Sequence, residues 1–300
     1  MTQPRLNRPG SFMITRRATQ RTFLFRPSSQ VNDLYVYLLA VLSQKYGIEV
    51  HAAVLMSSHE HVIISDPQAR RSDFMQEFHR LLANCLKNMI GWSGEVFDGA
   101  KPSVVALSTP EAMVEKTAYL MANPVEAGLV FHARDWPGVQ TTPAQLGVAR
   151  WTAQRPGVYL DPDNPHWPRR ATLSLRHPES SHMSAEEFRA QVQHELEQRE
   201  QAAREKLRAE GRRFAGRKAV LKTSRYKRAT SWEERGSLNP HFATGRNQGE
   251  AYRLAARTLR AFRQAYHEAL ALWVQGHREV VFPAGTLKMH TLHQARVAPG

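Results

Sequence analysis

The sequence predicts an α+β protein, with an antiparallel sheet and its helices in the first half and a mostly helical, basic region in the second. Three observations carry this. Strand-like segments recur at 11–17, which alternates apolar and polar residues, and at 48–56, 59–65 and 103–107. Apolar stripes at helical spacing lie between and after them, and the positive charge is concentrated beyond residue 150.

The first strand is Ser-Phe-Met-Ile-Thr-Arg-Arg, residues 11–17, followed by Arg21 and Arg26. Val31, Leu34, Tyr35, Leu38, Leu39, Leu42 and Tyr46 then recur at helical spacing, and Gly47 supplies a left-handed stop. Ile48 to Met56 is the second strand, Ser57-Ser58 a tight turn, and His59 to Ser65 the third strand, ended by Asp66-Pro67. Phe74, Phe78, Leu81, Leu82, Cys85 and Met89 mark a second helix that closes near Gly91, and Ser103 to Leu107 is a fourth strand. Thr109 or Ser108 caps a third helix with Pro110 in its first turn. That helix is expected to end near Asn123, because a proline disfavours helical geometry in the residue before it and Pro124 follows. The order β-α-β-β-α-β-α is a ferredoxin-like split β-α-β unit with one added helix.

Composition bounds the rest. Three hundred residues with 42% apolar content can bury a substantial core, and no apolar run approaches the roughly 18 residues of a membrane span. The N-terminus carries Arg5, Arg8 and Pro9 and no secretory apolar segment, and the single cysteine, Cys85, sits at a core spacing. One cysteine excludes an intramolecular disulfide, so a reducing cytoplasm is expected. Residues 1–150 hold 15 Lys/Arg against 12 Asp/Glu, net +3, which leaves +11 of the total +14 for residues 151–300. A surplus of this kind attracts polyanions, and nucleic acid is the commonest in that compartment.

Seven of the 17 prolines fall between Pro137 and Pro178, the texture of a linker or a wrap over the surface. The expected organisation is a catalytic unit over 1–140, a Pro-rich linker or wrap over 141–183, and a basic accessory region over 184–300. In the last, Ser184 to Glu187 is a capping-box start to a long helix, and residues 199–228 contain 12 Lys/Arg against 3 Asp/Glu. A final helix spans roughly Glu250 to Val274, and the Val-Val-Phe-Pro tail can add a short strand. No internal repeat is evident.

Chemistry concentrates in two places. Strand side chains alternate, so His59 and His61 project from one face of the sheet. On its own a His-x-His pair fits two ordinary strand histidines equally well. On the third helix Tyr119 and Asn123 are four apart and share a face, with Lys116 a turn earlier. If that face meets the histidines, two imidazoles and one amide oxygen surround a divalent metal beside a phenol. Such a donor set suits Mg²⁺ or Mn²⁺. Tyrosine is a weak nucleophile while protonated, its reference pKa being about 10, and no residue that assists it is identifiable from spacing.

The strings Met-Ser-Ser-His-Glu-His-Val-Ile-Ile (56–64), Tyr-Leu-Met-Ala-Asn-Pro-Val-Glu-Ala-Gly (119–128) and Ala-Arg-Asp-Trp-Pro-Gly (133–138) resemble the HUH single-tyrosine transposases, most closely the REP-associated tyrosine transposases of bacteria. The resemblance covers roughly residues 10–140 and, more loosely, Phe-Pro-Ala-Gly-Thr near the C-terminus. It implies cleavage and rejoining of single-stranded or hairpin DNA through a 5′-phosphotyrosine, as in DNA transposition and recombination. Tyr119 then takes the nucleophile's place, and His59, His61 and Asn123 those of the metal ligands. No ATP or other nucleotide cofactor and no membrane are expected, the protein acting near the nucleoid as a monomer or homodimer.

Two positions depart from the family pattern. Ser58 stands where Asn is usual, and Glu60 replaces the hydrophobic residue between the histidines. Alternation points Glu60 to the opposite face, into or beside the helix-packed side, where an unpaired carboxylate is costly; a place at the exposed start of the strand avoids that cost, and the alternative is that Glu60 joins the metal site or marks a decayed enzyme. Arg16, Arg17, Lys116, Arg212, Arg213, Arg217 and Lys218 are candidate phosphate contacts, and Phe214, Tyr226, Trp232 and Phe242 candidate base-stacking groups. Trp92 and Trp136 read as hydrophobic plugs, and His51, His79 and His132 have no evident partner. The alternative function is a non-catalytic DNA- or RNA-binding regulator on the same fold.

Overall fold

A computed structural model describes residues 4–99, 101–230 and 240–299 of the chain. Trp232 lies outside them. The expected order is present as β1 (Gly10–Arg17), α1 (Ser29–Tyr46), β2 (Glu49–Leu55), β3 (His59–Asp66), α2 (Arg71–Ile90), β4 (Ser103–Leu107) and α3 (Pro110–Glu126). These four strands lie in the order β2-β3-β1-β4, each pair antiparallel. The second half adds β5 (Arg150–Gln154), β6 (Arg170–Ser174), α4 (Ala185–Ala209), α5 (Arg217–Lys222), β7 (Phe242–Ala243), α6 (Gly249–Val274), β8 (Val281–Phe282), α7 (Lys288–His293) and β9 (Arg296–Val297). The protein is thus α+β, and β7 makes the sheet mixed by pairing parallel with β4.

Strand alternation divides the core in two. Phe12, Ile14, Val62 and Ile64 pack with α1 and α2, whereas Met13, Ala52, Val54, Ile63 and Val105 face α3. Ser28 caps α1 by accepting from Val31 N at 3.2 Å, and Gly47 ends it at φ 63°. α1 is buried around most of its circumference because the antiparallel β5–β6 ribbon, drawn from the Pro-rich stretch, covers its outer side. The Tyr37 hydroxyl donates to Pro168 O there at 2.7 Å. α4 starts with the expected capping box at Ser184 and Glu187. It lies along α3 and buries Phe188, Val192, Leu196 and Ala203 in the second core.

Two expectations are corrected. α3 continues to Glu126, with Pro124 inside its last turn. A proline there removes a single donor, and burial of Pro124 and Val125 holds the backbone helical. The turn that follows uses the Pro124 carbonyl, which accepts from Leu129 N at 3.0 Å, and Gly128 at φ 69°, where an added Cβ would meet Leu207 of α4 at 3.0 Å. Glu60 is not at an exposed edge. It is fully buried on the α2 side, where His79 Nε2 lies 2.5 Å from its Oε1.

His51, in the β2 bulge, lies between Arg176 O and Ser65 Oγ, each at 2.8 Å, and His132 Nδ1 is 3.3 Å from Glu200 Oε2. Cys85 is buried in the core. Trp136 is a plug, its indole N–H donating to Leu55 O at 3.0 Å. Among the described residues no helix is long and apolar enough to cross a membrane.

Candidate active site

The site is assembled by register. β1 pairs with β3 so that Thr15 faces His61 and Arg17 faces His59, all on the α3 side of the sheet. α3 presents Tyr119, Asn123 and Glu126 at i, i+4 and i+7 on the side that meets them. The His59 and His61 rings are 4.9 Å apart edge to face, and His61 lies 5.6 Å from the Tyr119 ring. His59 Nε2 is 3.4 Å from Asn123 Oδ1. Strand and helix thus bring together the four residues singled out from the sequence.

Outer contacts orient each group. Asn123 Nδ2 donates to Tyr119 O at 3.0 Å, which turns the amide oxygen toward the histidines. His59 Nδ1 is 3.2 Å from Ser58 Oγ, and His61 Nδ1 is 2.7 Å from Thr15 Oγ1. Hydroxyl partners at both Nδ1 atoms leave both Nε2 atoms to face the site, the arrangement a metal-binding imidazole needs. His61 Nε2 is buried without a well-formed hydrogen bond. The His61 imidazolium is held well below its usual range, first by burial and then by the nearby charge of His59, with the Asn123 side chain pulling the other way and Arg17 and Lys116 adding repulsion. A neutral His61 with an unsatisfied nitrogen beside His59 Nε2 and Asn123 Oδ1 fits a divalent cation. No group of three His, Cys, Asp or Glu suited to a metal occurs among the described residues, so the set depends on the amide.

The site opens into a cleft of about 1220 Å³ whose far wall is α4. Arg21, Arg199, Lys206, Arg212 and Arg246 line it against Glu126 and Glu195 among the described residues, which makes it a cationic enclosure. Lys116 Nζ and the Arg199 guanidinium lie 5.5 and 5.7 Å from the centre of the Tyr119 ring. Burial and the charge of Arg199 lower the Lys116 pKa, partly offset by Glu115.

No family model and no curated protein matches the chain. Among solved structures similar to part of it, a REP-associated tyrosine transposase bound to a REP hairpin is 18% identical, with a TM-score of 0.38, over 46% of this chain and 79% of that one. A Deinococcus radiodurans protein assigned to the transposases is 17% identical, with a TM-score of 0.29, over 35% of this chain and 85% of its own. The geometry of the cleft stands independently of either likeness.

The remaining candidates separate. Arg17 is exposed on the histidine face, whereas Arg16 lies on the opposite face, donating to Asp98 O at 2.9 Å and stacked on Phe97. Arg212, Arg213, Arg217 and Lys218 are exposed, Arg212 at the cleft and paired with Glu210 at 2.8 Å. Tyr226 is exposed and 5.8 Å from Trp92 between ring centres, while Phe214 packs on Phe131 and Phe242 on Tyr252. Sequence reasoning missed Glu126, although its spacing from Tyr119 and Asn123 marks the same helical face. It counted Arg199 only as the start of the basic run 199–228, because the packing of α4 on α3 is what brings it to the site.

Proposed function

We propose that the protein is a metal-dependent single-stranded DNA endonuclease and strand transferase acting on hairpin or palindromic DNA through a 5′-phosphotyrosine. The observation that carries this is the convergence of His59, Asn123 and Tyr119 at the floor of one cationic cleft, with His61 buried against the Tyr119 and His59 rings. A site for binding alone has no use for a phenol beside two inward-facing imidazoles. The motif resemblance of residues 56–64 and 119–128 supports the same reading.

His59, His61 and Asn123 would hold Mg²⁺ or Mn²⁺, which supplies Lewis-acid polarisation and orientation of a phosphate. The chain's own groups do the rest. The cleft's cations gather the DNA backbone, and the packing of Tyr119 between His61, Lys116 and Arg199 fixes its hydroxyl at the phosphate. Tyr119 Oη attacks phosphorus, the bond to the 3′ oxygen breaks, and the phenolic proton ends on that oxygen to release a 3′-OH. The nearby cations favour the phenolate that this step requires. The reverse attack by a 3′-OH rejoins a strand, so no nucleotide cofactor enters.

The test is incubation with end-labelled single-stranded hairpin DNA and Mn²⁺ or Mg²⁺. Wild type is expected to give a covalent adduct that survives denaturation, and Tyr119→Phe, which keeps the ring, is expected to give none. Undiminished cleavage by Tyr119→Phe overturns the phosphotyrosine mechanism and leaves a water-based hydrolase. Hairpin binding without cleavage by either protein returns the chain to a binding regulator.

A further inference from the structure

The cleft is closed by a helix from the second half of the chain, and one of its side chains reaches the nucleophile. Arg199, on α4, is partly buried, with its guanidinium 5.7 Å from the centre of the Tyr119 ring. Its Nε is 3.0 Å from Glu195 Oε1 and its Nη1 3.4 Å from Glu126 Oε1. Glu126 shares its helical face with Tyr119 and Asn123, so the ion pair ties Arg199 to the face that carries the nucleophile. Glu195 in turn is held by Arg246 at 2.6 Å. Glu126 accepts from Nη1 and Glu195 lies at ion-pair distance from Nε, on the two sides of the planar group, and Nη2 between them has no partner among the described residues and remains for a phosphate oxygen at the cleft wall.

Resting on the phosphotyrosine reading, we propose that Arg199 is a catalytic residue. Its guanidinium binds a non-bridging oxygen of the scissile phosphate while the Tyr119 Oη–P bond forms and the P–O3′ bond breaks. The charge that accumulates on the phosphoryl oxygens in that step is met by a cation fixed in advance by Glu126 and Glu195. Glu126 is a positioning residue that acts through Arg199. The second half of the chain therefore completes the active site. Of the other cleft cations, Arg212 and Arg246 are far more exposed than Arg199.

The experiment measures single-turnover adduct formation by the full chain with Mn²⁺. The probe is a set of single-stranded oligonucleotides, each a palindromic stem with a randomised unpaired flank. Affinity for the same probe and thermal unfolding are measured in parallel. Arg199→Ala is expected to slow adduct formation at saturating DNA by about 100-fold, the size of losing one fixed transition-state donor, while affinity changes only a few-fold. Arg199→Lys should recover part of the rate, since it restores the charge without the fork, and Glu126→Gln should lower the rate with the melting transition intact. If Arg199→Ala does not fold, the last two variants decide. The inference is overturned if these variants match wild type at saturation, or if their loss of rate only follows a loss of affinity or folding. A wild type that forms no adduct with any probe removes the phosphotyrosine reading and this inference together, whereas an active wild type matched by the variants removes Arg199 alone.

Discussion

Between the two histidines, Glu60 shows how a strand can serve two masters. Its neighbours face the cleft, while it is buried on the other side against His79, with Tyr35 and Arg16 close enough to feel its charge. Removing one partner of such a pair leaves a buried polar group unsatisfied, whereas replacing both with apolar groups avoids that cost. His79→Leu is therefore expected to destabilise the fold by about 3 kcal/mol in urea unfolding, and Glu60→Leu combined with His79→Leu to recover most of it. If the double variant is as unstable as the single one, the coupling is absent. His51 is the second buried histidine with a consequence. The Arg176 carbonyl can only accept, so Nδ1 carries the proton and Nε2 accepts from Ser65. Burial lowers its pKa to about 4, and the nearby His177 adds to the shift while the Arg176 carbonyl opposes it. The unfolded chain then takes up a proton below about 6.5 that the native state refuses until about 4, so stability falls as pH drops through that window. The loss should reach about 3 kcal/mol by pH 4, and His51→Gln should flatten that part of the unfolding-versus-pH curve. An unchanged curve would show that His51 is protonated in the native state as readily as in the unfolded one.

At the scale of elements, α3 and α4 form the unit on which the site depends. Phe188, Val192 and Leu196 of α4 fill the core beneath α3, and Arg199 follows one turn later at the cleft. Phe188→Ala is expected to cost about 3–5 kcal/mol and, by loosening the cleft wall, to reduce adduct formation more than it reduces DNA affinity. Equal losses of the two would mean that α4 contributes only to folding. Periodicity made α1 to α3 legible, and apolar segments bounded by turn residues made β1 to β4 legible. Pro124 misled because the rule for the preceding residue is a local steric one, and burial of the last turn of α3 outweighed it. The two-residue strand β7 repeats no pattern and exists because β4 offers it an open edge. At the site, the i, i+4 spacing of Tyr119 and Asn123 and the i, i+2 spacing of the histidines were visible. Thr15 and Arg199 were not, because strand register and helix packing join them to residues 46 and 80 positions away.

Across the whole molecule, the basic run 199–228 is divided between building the protein and facing solvent. Its end straps back over the first half: Phe23 N donates to Lys227 O at 2.9 Å, and Arg225 Nη1 donates to Leu24 O at 3.0 Å and Arg26 O at 3.2 Å. Arg225 is half-buried by this work, and burial lowers its pKa. Arg212, Arg213, Arg217 and Lys218 instead project into solvent, Arg212 at the mouth of the cleft. Charge that contacts DNA phosphates releases counterions, and each contact on a single strand contributes roughly 0.7 to the slope of log affinity against log salt. Replacing these four by Gln is therefore expected to lower that slope by up to roughly 3 with thermal unfolding nearly unchanged, because exposed side chains contribute little to stability. Arg225→Ala should do the opposite, lowering the melting temperature while changing the slope by one contact at most. Both are read from the same pair of measurements, hairpin-DNA affinity over a salt series and a melting curve. A slope unaffected by the fourfold change would make the exposed run a solvated face and leave the cleft cations, Arg21, Arg199, Lys206 and Arg246, to hold the strand.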